Sequence, residues 1–144
     1  MNALAALQNK IFSARSLSYI PDPEGKDFIE ALALDRWETA AEVEARGGAD
    51  CDGLSAWAIQ RGYELSREGE WALVAGRVKQ RGQWAGHAWV ELIHEGTRYW
   101  ADPTWGWLPK RPDAHGYPES RRPVHRWVYD GVIFARQETF MEIA

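Results

Sequence analysis

Gly86-His-Ala-Trp-Val-Glu-Leu-Ile-His-Glu-Gly-Thr-Arg-Tyr-Trp-Ala-Asp102 reads as two strands, Gly86 to His94 and Thr97 to Asp102, joined at Glu95-Gly96. If His94 faces Thr97 across a two-residue turn, Trp89 opposes Asp102 and His87 opposes Thr104. Side chains alternate along a strand, so His87 and Asp102 then project from one face as diagonal neighbours, roughly 7–8 Å apart at Cα. A turn of odd length would place them on opposite faces. Glu-Gly is weaker hairpin chemistry than Asn-Gly, so this register is the expectation on which the reading turns.

Outward from the hairpin, the apolar spacing changes. Leu4, Leu7 and Ile11 recur at helical intervals, which predicts an amphipathic helix over about the first fifteen residues. Pro21, Pro23 and Gly25 mark a loop over Tyr19 to Lys26, followed by a short helix from Asp27 to Leu34. A further helix is expected from Trp37 to Arg46, stopped by Gly47-Gly48. From Asp52 to about Arg67, Leu54, Trp57, Ala58 and Leu65 fall on one helical face, with Gly69 as terminator. Trp71 to Lys79 reads as a strand, residues 106 to 123 as a Pro-rich loop and Arg126 to Ala135 as a last strand. The pattern is α+β in a single domain, 1–144: an N-terminal helical part (1–34), a core (35–105), then the Pro-rich loop and last strand (106–144).

The 144 residues suit one domain, and 45% hydrophobic against 26% charged residues argues against disorder. A net charge of −4 argues against a nucleic-acid partner. The basic cluster Lys110, Arg111, Arg121, Arg122 and Arg126 reads as a solvated loop face. No apolar run reaches membrane-spanning length and the start lacks a signal-peptide pattern, so no membrane partner is expected and the expected location is the cytoplasm. Most of the nine Trp residues read as core and cleft wall.

Cys51 is the sole cysteine and stands in Gly47-Gly-Ala-Asp-Cys-Asp-Gly-Leu-Ser55, where a loop turns into a helix. A helix N-terminus favours a thiolate over a thiol. His87 can exchange the thiol's proton and serve as general acid to a leaving amine; Asp102 can fix its tautomer and orientation. These residue types fit acyl transfer through a thioester. The Cys51 backbone N–H, unpaired within the first helical turn, is the first oxyanion donor; Trp37, Gln83 and Trp84 are candidates for the second donor or for substrate contact. Zinc held by Cys51 with His87, His94, His115 or His125 would lack the usual paired-ligand spacing. Asp50 and Asp52 read as a helix cap and first-turn charge, without the alternating oxygen ligands of a calcium loop.

The pieces Asp35-Arg-Trp-Glu-Thr-Ala-Ala-Glu42, Gly48-Ala-Asp-Cys-Asp-Gly-Leu-Ser55, Gly86-His-Ala-Trp-Val-Glu91 and Tyr99-Trp-Ala-Asp-Pro-Thr104 resemble the transglutaminase-like cysteine peptidase superfamily, within the wider papain-like fold. The likeness covers about residues 35 to 105. It implies a Cys-bearing helix packed on an antiparallel sheet whose adjacent strands carry His and Asp, in the order Cys51, His87, Asp102. It also implies a thiol acyl-transfer enzyme acting on a protein or peptide: a peptidase or isopeptidase, a transglutaminase or deamidase, or an inactive interaction domain of the same fold. No cofactor is expected, although some bacterial members use calcium.

Overall fold

The computed structural model describes residues 1–21, 37–106 and 121–139. The helix expected over Asp27–Leu34 and most of the loop expected over 106–123 lie outside them. Helix α1 (Ala3–Ser13) begins where the Asn2 side chain accepts the Ala5 N–H at 2.8 Å, and it ends in a 3₁₀ turn, Ala14–Ser16. Helix α2 (Ala40–Arg46) starts three residues later than the apolar spacing predicts. Thr39 and Glu42 form a capping box there, each side chain bonded to the other's backbone N–H at 3.2 Å. Helix α3 (Cys51–Leu65) buries Leu54, Trp57 and Ala58 as expected, but Leu65 is 41% exposed. Ser66, extended rather than Gly69, ends it.

Five strands form one antiparallel sheet: β3 (Glu70–Gln80), β4 (Gln83–His94), β5 (Thr97–Ala101), β6 (Arg121–Tyr129) and β7 (Phe134–Thr139), in spatial order β5-β4-β3-β6-β7. His94 faces Thr97 and Val90 faces Ala101, the register the Glu95-Gly96 turn requires. Both turn residues have positive φ, 52° and 77°, as in the primed hairpin turns. The strand expected over Arg126–Ala135 is in fact two. Asp130 Oδ1 accepts the N–H groups of Val132 and Ile133 at 2.8 and 2.9 Å, and Gly131 takes φ +102°, so the chain reverses.

Helices α1 and α3 cover one face of the sheet. Their contacts with Trp71, Leu73, Val90 and Leu92 make the larger core. Val74, Val78, Trp89 and Trp100 form a second cluster on the opposite side chains of β3, β4 and β5. Arg121 and Arg126, expected on a solvated loop face, lie buried in strand β6. Arg126 bonds Glu91 at 2.6 Å and Glu70 at 2.7 Å.

A two-residue parallel pair, β1 (Ser18–Tyr19) with β2 (Gly48–Ala49), clasps the chain just ahead of Cys51. Ser18 N–H donates to Gly47 O and Ile20 N–H to Ala49 O, both at 2.9 Å. A Cβ on Gly48 would fall 1.9 Å from the Ser18 carbonyl oxygen. Because that neighbour is backbone, Gly48→Ala must part the two strands. The variant should unfold about 2 kcal/mol more easily in urea; an unchanged midpoint would show the clasp to be dispensable.

Candidate functional site

The site is assembled where α3 starts and β5 stops. Asp50 caps α3, its Oδ1 accepting the Gly53 N–H at 3.1 Å. This fixes Cys51 as the first helical residue, buried against β4. The Ala88 backbone lies within hydrogen-bonding reach of its sulfur, and the Ser55 hydroxyl, one turn along the helix, donates to the Ala88 carbonyl at 3.4 Å. Cys51 thus sits beside the chain neighbour of His87.

His87 and Asp102 meet as the register requires. His87 Nε2–H donates to Asp102 Oδ2 at 2.6 Å, which leaves Nδ1 as the ring nitrogen available for proton exchange. Strand β5 ends at Ala101, so Asp102 is the first residue of the turn that follows. Its Oδ1 accepts the Thr104 N–H at 3.0 Å, and its Oδ2 also accepts from Arg121 Nη2 at 3.0 Å. The carboxylate is 0% exposed. Burial alone would raise its pKa, but the hydrogen bond and charge of His87, followed by Arg121, outweigh burial and hold it below the usual range.

Aromatic rings enclose the pair. Trp105 stacks on His87 with ring centres 4.3 Å apart and planes within 10°. The Arg121 guanidinium lies over Trp89 at 5.0 Å and Trp105 at 5.4 Å. Trp105 keeps 47% of its surface exposed and gives the site an aromatic wall.

The thiol departs from the expectation that a helix N-terminus favours thiolate. Burial pushes the Cys51 pKa up, and the charges of Asp52, Asp50 and Asp102 add to that; the Ala88 backbone hydrogen bond is the one opposing contribution. The proton therefore stays on sulfur at neutral pH. Asp52 is pushed up to about 9, first by burial, then by a hydrogen bond with Asp50 and by the charges of Asp50 and Glu38. Tyr19, on β1, titrates higher than usual because of partial burial and then the charges of Cys51, Asp50 and Asp52, so its phenol belongs to the same electrostatic neighbourhood.

The other expected residues are Trp37, Gln83 and Trp84. Trp37 packs on Trp127 and Phe134, ring centres 5.2 and 4.9 Å away, over β6 and β7 and not over the strand that carries His87. Gln83 and Trp84 begin β4, about 10–13 Å along the strand from His87. Trp84 is covered by the Arg122 guanidinium at 4.1 Å. Sequence reasoning missed Arg121 and Tyr19, whereas Trp105 was among the tryptophans expected as core and cleft wall. A signal existed for Arg121: a buried Asp needs a cation, and five Lys and Arg residues follow Asp102 within the next 25 positions.

The chain shares its fold with Legionella pneumophila LapG. Calcium-bound LapG superposes with a TM-score of 0.62 at 13% identity, over 96% of this chain and 74% of LapG. EGTA-treated LapG gives 0.61 at 14% identity over 93% and 72%, and a further LapG structure 0.60 at 12% over 87% and 65%. This likeness, a transglutaminase-like core with a helix on an antiparallel sheet, is one of fold. No family model matches the sequence, and no curated protein matches it. Calcium in one LapG structure raises the question of a cation here. Among the described residues no three His, Cys, Asp or Glu side chains converge on one point.

The raised Asp52 pKa has a defined sign in stability. Below about pH 4 the carboxyl is protonated both folded and unfolded; between there and about 9 the unfolded chain loses the proton that the folded chain keeps. Stability from this group is therefore full at acid pH and falls as pH rises. Asp52→Asn removes that dependence, so its melting temperature relative to wild type should rise by several degrees between pH 5 and pH 8. Parallel melting curves at both pH values would refute the shared proton.

Proposed function

We propose that the protein is a thiol-dependent acyl-transfer enzyme, most simply a cysteine peptidase or isopeptidase, using Cys51, His87 and Asp102. The observation that carries this reading is the buried 2.6 Å His87–Asp102 bond beside the helix N-terminus that holds the chain's single thiol. The transglutaminase-like core shared with LapG supports the same class.

In this mechanism the substrate carbonyl enters beside Cys51. As sulfur attacks the carbonyl carbon, the thiol proton passes to His87 Nδ1 and the carbonyl π electrons move to oxygen. Asp102, fixed through Nε2, keeps the ring in the tautomer with Nδ1 open and stabilises the imidazolium. The Cys51 N–H supplies one oxyanion donor. Tyr19, clasped to the strand that leads into Cys51, replaces Trp37 as the side-chain donor we favour. Collapse of the tetrahedral intermediate breaks the C–N bond, and His87 gives its proton to the departing amine, leaving a thioester. Water activated by His87 then releases the acid and restores the thiol; an amine in place of water would give transfer.

A protein or peptide substrate fits the exposed indole of Trp105 beside His87. No helix among the described residues is long and apolar enough to cross a membrane. A thiol that must remain free to attack suits the reducing cytoplasm.

The test is mass spectrometry of a proteome incubated with wild type and with Cys51→Ser. Wild type alone should generate new peptide termini, or new crosslinks if an amine is the acceptor. His87→Ala and Asp102→Asn should each lower the rate by at least about 100-fold, the scale of lost acid–base catalysis. Identical peptide maps with wild type and Cys51→Ser would leave the fold as an interaction domain.

A further inference from the structure

The Asp102 carboxylate has two cationic suitors on a single oxygen. Oδ2 receives His87 at 2.6 Å and Arg121 at 3.0 Å. Arg121 is almost wholly buried, with 8% of its side chain exposed, and it is fixed between Trp89 and Trp105. Its charge is permanent, whereas that of His87 is conditional.

Moving the Cys51 proton to His87 Nδ1 creates a negative sulfur and a positive ring. Arg121 stands on the Nε2 side of that ring, its Nη2 on the same Asp102 oxygen that Nε2 contacts. A fixed cation there opposes the charge separation, and by sharing Oδ2 it also takes part of the carboxylate's negative field from the ring. Of the remaining neighbours, Asp50 at the start of α3 and Asp102 beyond β5 disfavour the thiolate by their charge, while Asp52 keeps its proton at neutral pH. Tyr19 from β1 is uncharged at neutral pH, and Glu38 bears on Asp52.

We infer that Arg121 is a positioning residue that keeps the site's mobile proton on Cys51 until substrate is bound, so that His87 acts as a general base during attack. This rests on Cys51 and His87 exchanging a proton, as proposed above. Arg121 does so while holding Asp102 in place for His87, a combination that a neutral partner could not provide. The step is balanced within the site: the S–H bond breaks as the S–C bond forms, and the proton moves to Nδ1 while the oxyanion develops. A resting thiolate, open to oxidation and alkylation, is thereby avoided.

The experiment is the rate of Cys51 alkylation by iodoacetamide from pH 6 to 10, read by intact-mass spectrometry with no substrate present. Wild type should react slowly below pH 8 and accelerate at alkaline pH. Arg121→Gln, and Arg121→Met, whose unbranched chain fills the slot between the two indoles, should react about tenfold faster at pH 6.5. That gain should vanish when His87→Ala is added. Arg121→Lys, which keeps the charge, should match wild type.

An unchanged or slower rate at pH 6.5 in both neutral variants overturns the inference. So does Arg121→Lys behaving like Arg121→Gln, because geometry and not charge would then be the cause. Loss of folding in the Gln and Met variants but not in Lys also overturns it, leaving Arg121 a structural ion-pair partner. Since alkylation needs no turnover, an acid-side gain in a protein that cleaves nothing would defeat the peptidase reading and leave the proton control standing.

Discussion

A carboxylate with no solvent contact has to be matched by cations and donors or it will not stay ionised, and this requirement organises the sheet face away from the helices. It is met twice. Asp102 is held by His87, Arg121 and the Thr104 amide. Glu91, also 0% exposed, receives Trp100 Nε1 at 2.7 Å and Arg126 Nε at 2.6 Å, with Arg98 3.3 Å away. The two anions engage β4, β5 and β6 through charged side chains, while Val74, Val78, Trp89 and Trp100 fill the space around them. Removing one arginine would strand a buried charge, so β6 is bound to the sheet by more than its ladder.

The two faces of the sheet consequently differ in kind. The helix-covered face is apolar and tolerant: Leu7, Ile11, Ile59, Leu73 and Val90 meet without directional demands. The other face is specified by hydrogen-bond geometry, since each charged atom has a place fixed to within a few tenths of an ångström. Cys51 and His87 approach from different faces. Cys51 arrives from the apolar side with its helix, and His87 belongs to the polar side of β4, so the thiol is desolvated on one side and the base is pinned on the other.

The hairpin was legible because alternation and turn length have only two outcomes, and the even turn at Glu95-Gly96 selected one of them. The Cys51 helix was legible from its Asp-Cys-Asp opening and its apolar spacing. Arg121 and Arg126 were not, because five basic residues after Asp102 look the same in sequence whether they face water or a buried carboxylate. The break at Asp130-Gly131 was lost in a run rich in strand formers, where one side-chain oxygen accepting two amides decided the turn. The packing of Trp37 on Trp127 and Phe134 was not legible, because it depends on β6 and β7, nearly a hundred residues downstream.

The clasp between Ser18–Tyr19 and Gly48–Ala49 gives the N-terminal segment a role beyond packing. Tyr19 stands opposite the residue two before Cys51, and α1, four residues upstream of the clasp, packs along the Cys51 helix. Two backbone hydrogen bonds thus fasten the first twenty residues to the start of α3, so the position of Cys51 is set by the front of the chain as well as by the sheet.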